Sequence, residues 1–174
     1  MASQRSSDVA PYLAGPAYGV ALLFIVLPIL DTFAQVWPPS LASPSWRYGA
    51  VGIGANYLIS VLFGLLLCSL IAGWQLHRRT LRWLAIANSV LAVLAVIAAI
   101  AFVLDVFQLR PGLPRGNAVA LRMFDIGAEK AVFKYLVTAV AFAWVGFGAW
   151  RAARAIPVPV ETDTPKLVRK QDGA

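Results

Sequence analysis

Residues 83–109 form an apolar stretch in which only Asn88, Ser89, Asp105 and Gln108 are polar. An α-helix rises about 1.5 Å per residue, so this stretch is longer than the roughly 30 Å of a bilayer's hydrocarbon core. It therefore predicts a membrane-spanning helix, and the rest of the chain has to be placed around it.

Three further apolar stretches, residues 17–37, 48–74 and 129–150, have similar lengths. The chain is 60% hydrophobic and 13% charged with a mean hydropathy of +0.73, whereas a soluble domain is about half apolar and about a quarter charged. We therefore predict an all-α integral membrane protein, a four-helix transmembrane bundle. Residues 1–16 would be a lead-in, 17–154 the transmembrane domain and 155–174 a disordered tail, with residues 109–128 lying on the membrane surface.

The first span has a second interpretation. A signal peptide with cleavage near residues 32–34 would also begin with an apolar run. The weakly charged leader and the length of the run favour a retained helix. Pro28, inside this span, predicts a kink close to Asp31.

Basic residues predict how the bundle is oriented. With four spans, the termini and the second connection share one side of the membrane. Lys and Arg are more numerous on that side, which the positive-inside rule assigns to the cytoplasm. The residues on that side are Arg5, Arg78, Arg79, Arg82, Arg151, Arg154, Lys166, Arg169 and Lys170, against Arg47, Arg110, Arg115, Arg122 and Lys130 on the other.

Four polar residues, Asp31, Asn56, Asp105 and Lys134, fall within the spans and at similar depths in the outer half. Because a charge that faces lipid costs several kcal/mol, we expect them to converge inside the bundle. Lys134 is expected to form an ion pair with Asp105 or Asp31, or to extend its amine to the headgroups. An ion site, proton site or polar ligand pocket is the functional alternative.

Small residues at helical spacing predict the inward faces of the spans, because they let helix backbones approach closely. The third span has two such faces, which would place it at the centre of the bundle. The predicted packing residues are Gly49, Gly52 and Ser60 in the second span, Asn88, Ala92 and Ala95 in the third, and Thr138 in the fourth.

Several chemistries have no support in the sequence. His77 is the single histidine, which excludes bis-histidine haem ligation within the chain, and a metal site is not expected. Cys68 is expected to be a packing residue. No catalytic motif is present, so we do not expect an enzyme, and no particular cofactor is implied. The net charge of +7 is explained by membrane topology rather than by nucleic-acid binding.

Two functions remain as expectations. The first is a non-catalytic structural or accessory subunit of a larger complex in a bacterial inner membrane, in contact with the lipid bilayer and with other integral membrane subunits or copies of itself. The second is a small transporter or channel that uses the Asp and Lys residues of the spans. Aromatic residues of the fourth span are available for lipid, pigment or partner contact, namely Phe133, Tyr135, Phe142, Trp144 and Phe147.

Overall fold

The computed structural model describes residues 10–113 and 117–157, with side chains from residue 13 onward. The chain forms the helices α1 (Ala10–Val36), α2 (Pro44–Trp74), α3 (Arg78–Leu109) and α4 (Ala118–Ala155), and a short 3-10 turn, Arg110–Gly112, follows α3. All four helices are long and apolar enough to cross a membrane. The predicted all-α four-helix transmembrane bundle is thus confirmed.

Local sequence explains where two of the helices begin. At the start of α2, the Ser43 hydroxyl accepts a hydrogen bond from the Trp46 backbone N–H at 3.3 Å. At the start of α4, the Asn117 side chain does the same for Ala120 at 3.0 Å. Such caps satisfy backbone donors that have no partner within the helix. The two caps therefore determine the residues at which α2 and α4 begin.

The ends of the bundle differ in which connections they hold. The α1–α2 end holds residues 37–43, 110–113 and 117, and the terminal end holds residues 75–77 together with the start of α1 and the end of α4. At the α1–α2 end, the Trp46 indole donates to the Val36 carbonyl at 2.9 Å, which ties the start of α2 to the end of α1.

Helix α2 is the central element. It packs against each of the other three helices, whereas α3 packs against α2 and α4, and α1 packs extensively on α2 only. The prediction that residues 83–109 form the centre was therefore wrong. Helix α3 does have two close neighbours, but α2 has α3 and α4 on one side and α1 on the other.

The core lies between α2, α3 and α4. Asn88 and Ala95 of α3 are buried, Ala92 is partly buried, and Thr138 of α4 is buried. Two aromatic residues that the sequence left available for lipid or partners, Tyr135 and Phe142, are also buried, so for them that expectation was wrong. Phe133, Trp144 and Phe147 are exposed on the same helix.

The first and last helices extend beyond the predicted spans. Helix α1 begins at Ala10, within the predicted lead-in, and continues through Pro28. Helix α4 begins at Ala118, so the second half of the predicted connection over residues 109–128, expected to be a short interfacial helix turn, is part of one long helix. Residues 1–9 and the predicted tail from 158 onward lie outside the described residues.

Helix α4 reaches past the start of α2. At about 1.5 Å per residue, its 38 residues extend for roughly 57 Å. Gly127 lies beside Tyr48, since its added Cβ would be 3.7 Å from the Tyr48 hydroxyl. Nine residues of α4 precede Gly127 but four residues of α2 precede Tyr48, so α4 begins about one turn beyond the α2 start.

The closest helix contacts involve other glycines than those predicted. A Cβ on Gly64 would lie 2.7 Å from the Ala21 carbonyl of α1, and one on Gly146 would lie 3.2 Å from the Ala85 carbonyl of α3. At Gly49 nothing lies within 4 Å of an added Cβ, and at Gly52 the nearest atom is at 4.0 Å. The predicted close packing at Gly49 and Gly52 was therefore wrong.

Candidate functional site

Asp105, near the end of α3, is buried and forms an ion pair with Arg47 of α2. Arg47 Nη2 donates to Asp105 Oδ1 at 2.6 Å, and Arg47 Nε donates to both carboxylate oxygens at 3.1 and 3.2 Å. The remaining Arg47 nitrogen, Nη1, donates to the Leu41 carbonyl at 2.8 Å. This pair joins α2, α3 and the α1–α2 connection at one end of the bundle.

Asp31 lies in a different group, on the exposed surface between α1 and α2. Its carboxylate accepts a hydrogen bond from the Tyr57 hydroxyl at 3.0 Å, and that hydroxyl accepts one from Gln35 Nε2 at 2.7 Å. Asp31 and Gln35 are both exposed. Ser60, one turn from Tyr57 toward the terminal end, lines a groove beside α1 together with Pro28.

Lys134 and Asn56 form the third group, between α4 and α2. Lys134 Nζ donates to Asn56 Oδ1 at 2.6 Å. An amide oxygen carries no net charge, so accepting this hydrogen bond does not neutralise the ammonium charge. This contact therefore does not pair Lys134 with an anion.

The four polar residues do not converge as the sequence predicted. They lie at three separate interfaces, and the expected ion pair of Lys134 with Asp105 or Asp31 is not formed. Asp105 pairs with Arg47 instead. Helix α2 begins at Pro44, before the predicted span, so its first turn places the Arg47 guanidinium beside the end of α3.

A cavity of about 340 Å³ surrounds the third group. Lys130 and Lys134, one helical turn apart on α4, line it together with Asn56 and Tyr48 of α2 and Phe102 of α3. Gly49, Gly52 and Gly127 also line it, and their lack of side chains leaves the space open. Gly49 and Gly52, predicted as packing residues of the second span, thus form a cavity wall rather than a helix contact.

Stacked aromatic rings form a rigid wall of this cavity. The Tyr48 ring lies between those of Phe102 and Phe124, with centroids 4.9 Å apart and interplanar angles of 16° on each side. Such stacking stabilises the contact beyond its buried area. Three helices are thereby fixed around the cavity at the α1–α2 end.

The charge around the cavity is positive. The structure forms two ion pairs among the described residues, Arg47–Asp105 and Arg110–Asp125, so both nearby aspartates are already paired with arginines. Glu129, next to Lys130 in sequence, lines a different groove with Val103. No described carboxylate is paired with Lys130 or Lys134.

Sequence reasoning missed Arg47, Tyr48, Tyr57 and Lys130 as site residues. The spacing of Lys130 and Lys134 was the available signal, since residues four apart share a helix face. Arg47 carried no such signal, because it was placed in a connection, and Tyr48 was only the first residue of the predicted second span.

Within residues 10–113 and 117–157, no three His, Cys, Asp or Glu side chains come together as metal ligands would. Comparison of the chain with protein-family models, with curated proteins and with solved structures finds no match.

Proposed function

We propose that this protein is a non-catalytic subunit that packs beside another integral membrane protein through the outer face of α1 and α2. The observation that carries the proposal is the exposed group of Asp31, Gln35 and Tyr57. An ionised carboxylate that faces lipid costs several kcal/mol, and neighbouring polar groups of a partner would remove that cost.

The rest of this face supports the same proposal. Leu23, Leu27 and Leu30 of α1 are exposed, and α1 packs extensively on α2 only. An apolar surface alone would be satisfied by lipid. The polar group within it is what favours a protein partner.

The alternative, a transporter that uses Asp31, Asp105 and Lys134, has less support. A pathway needs these side chains along one route, and each of them has a different partner at a different helix interface. We therefore favour the subunit.

Site-specific photo-crosslinking tests the proposal. A benzophenone side chain at Leu27 or Leu30 is expected to give a discrete protein adduct in native membranes. The same probe at Ile97 or Ile100 of α3, which are similarly exposed, is expected to give none. In the Leu27 probe background, Asp31→Leu should lower the adduct yield by about fivefold, because an interhelical hydrogen bond is worth about 1 kcal/mol. Equal yields from α1 and α3 would contradict the proposal.

We also propose that the membrane is a bacterial inner membrane and that both termini are cytoplasmic, on the grounds of the Ala-rich and Arg-rich composition and the distribution of Lys and Arg. In a Cys68→Ser background, Leu41→Cys is expected to react with an impermeant maleimide on intact spheroplasts. His77→Cys, at the opposite end, is expected to react only after permeabilisation. The reverse pattern would invert the topology.

A further inference from the structure

We propose that the cavity between α2 and α4 binds a phosphate group, supplied either by the headgroup of an anionic phospholipid or by a soluble phosphate. The site is independent of the α1 face on which the proposed subunit contact depends. It is built from Lys130, Lys134, Asn56 and Tyr48, around a volume of about 340 Å³.

The first step of the argument is charge. Lys130 and Lys134 line the cavity from successive turns of α4, and neither is paired with a carboxylate among the described residues. Two ammonium groups that line one cavity repel each other, and an anion bound between them would accept a charge-assisted hydrogen bond from each.

The second step is the distribution of hydrogen-bond donors. Because Asn56 Oδ1 already accepts a hydrogen bond from Lys134 at 2.6 Å, the Asn56 amide nitrogen is left with two N–H donors. Lys130 offers three donors and Lys134 keeps two more. The polar side of the cavity thus consists almost wholly of donors, which a group with several acceptor oxygens would match.

The third step is position. The cavity extends along α2 from Tyr48, close to the helix start, to Asn56, a rise of about 12 Å. With α2 spanning the bilayer, the Tyr48 end of the cavity therefore lies near headgroup depth, where phosphate is the abundant anion. The stacked rings and the glycine-lined wall leave room beside the lysines for a headgroup to enter.

Native mass spectrometry of the full chain, released from detergent with added phosphatidylglycerol or phosphatidylcholine, tests the inference. Wild-type protein is expected to retain phosphatidylglycerol in preference to phosphatidylcholine. Lys130→Gln and Lys134→Gln are each expected to weaken that binding by about tenfold, the effect of losing one charge-assisted hydrogen bond. Lys134→Arg keeps the charge and should retain most of the binding.

Arg122→Gln is the matched control, because it removes one positive charge from the same end of α4 without touching the cavity. It should leave lipid retention unchanged. Lys130 is exposed, so its substitution tests the site even if the Lys134 variants fold poorly.

Inorganic phosphate distinguishes the two sources. If millimolar phosphate displaces phosphatidylglycerol from wild-type protein and binds on its own, the ligand is a soluble phosphate. If phosphate has no effect while the lipid binds selectively, the ligand is a headgroup. If the lysine variants and Arg122→Gln retain both lipids as wild type does, and phosphate does not bind, the inference is overturned. The α1 crosslinking result is independent of all three outcomes.

Discussion

Replacing Arg47 with leucine is expected to lower the free energy of unfolding by about 3 kcal/mol, because it leaves a buried carboxylate without its partner. The Asp105 side chain is only 5% exposed, and its hydrogen bonds among the described residues all come from Arg47. Neither lipid nor water can replace the guanidinium without opening the contact between α2 and α3.

Replacing the partner residue, Asp105, with leucine should lower the free energy of unfolding by less. The Arg47 side chain is 33% exposed and also donates to the Leu41 carbonyl, so in Asp105→Leu the guanidinium can turn toward the headgroups. We expect a loss of about 1 kcal/mol for Asp105→Leu, and a smaller loss for the double variant than for Arg47→Leu alone. The asymmetry follows from the difference in burial of the two partners.

SDS titration in mixed micelles, followed by far-UV circular dichroism, gives these free energies. Arg110→Leu is the control, since its pair with Asp125 is exposed, at 58% and 36%, and should contribute about 1 kcal/mol or less. Equal losses for Arg47→Leu and Asp105→Leu, or an equally large loss for Arg110→Leu, would show that burial does not determine the contribution of the pair.

Hydropathy predicted the fold class because four long apolar stretches leave a chain few alternatives in lipid. It placed the start of the last helix poorly. Residues 118–128 are mostly apolar and were interpreted as a short interfacial helix turn apart from the last span, yet the helix capped by Asn117 runs through them without a break. The boundary was set by a local hydrogen bond that average hydrophobicity does not register.

The sequence identified polar residues of the spans but not the directions in which their side chains point. Counting along each span correctly selected polar residues within the helices, whereas convergence requires knowing where each side chain points around its axis. Successive side chains are about 100° apart around a helix axis, so an inward face assigned one residue off places side chains outward that were expected to point inward. Asp31 and Asn56, which were expected to point inward, are both exposed. The partner of Asp105 was missed because Arg47 was assigned to a connection.

Replacing Gly64 with alanine is expected to loosen α1 from α2 while leaving the packing of α2, α3 and α4 intact. An added Cβ would lie 2.7 Å from both the Ala21 carbonyl oxygen and Ile25 Cγ1. Backbone cannot yield as a flexible side chain can, so α1 has to move away. Since α1 packs extensively on α2 only, the strain should be released there.

Cys68 reports this movement, because it is buried on α2 four residues beyond Gly64 and so lies on the same helix face, which α1 contacts at Ala21. If overpacking costs about 1–3 kcal/mol, the rate at which N-ethylmaleimide modifies Cys68 should rise by about tenfold. Helix content by circular dichroism should not change.

Gly73→Ala is the matched control on the same helix. Nothing lies within 4 Å of its added Cβ, so only the better helix propensity of alanine remains, and the Cys68 rate should not rise. Gly146→Ala would instead strain the contact between α3 and α4, since its Cβ would lie 3.2 Å from the Ala85 carbonyl oxygen. If Gly64→Ala leaves the Cys68 rate unchanged, α1 is held by more than its contact with α2, and the peripheral position on which the proposed partner interface depends would have to be abandoned.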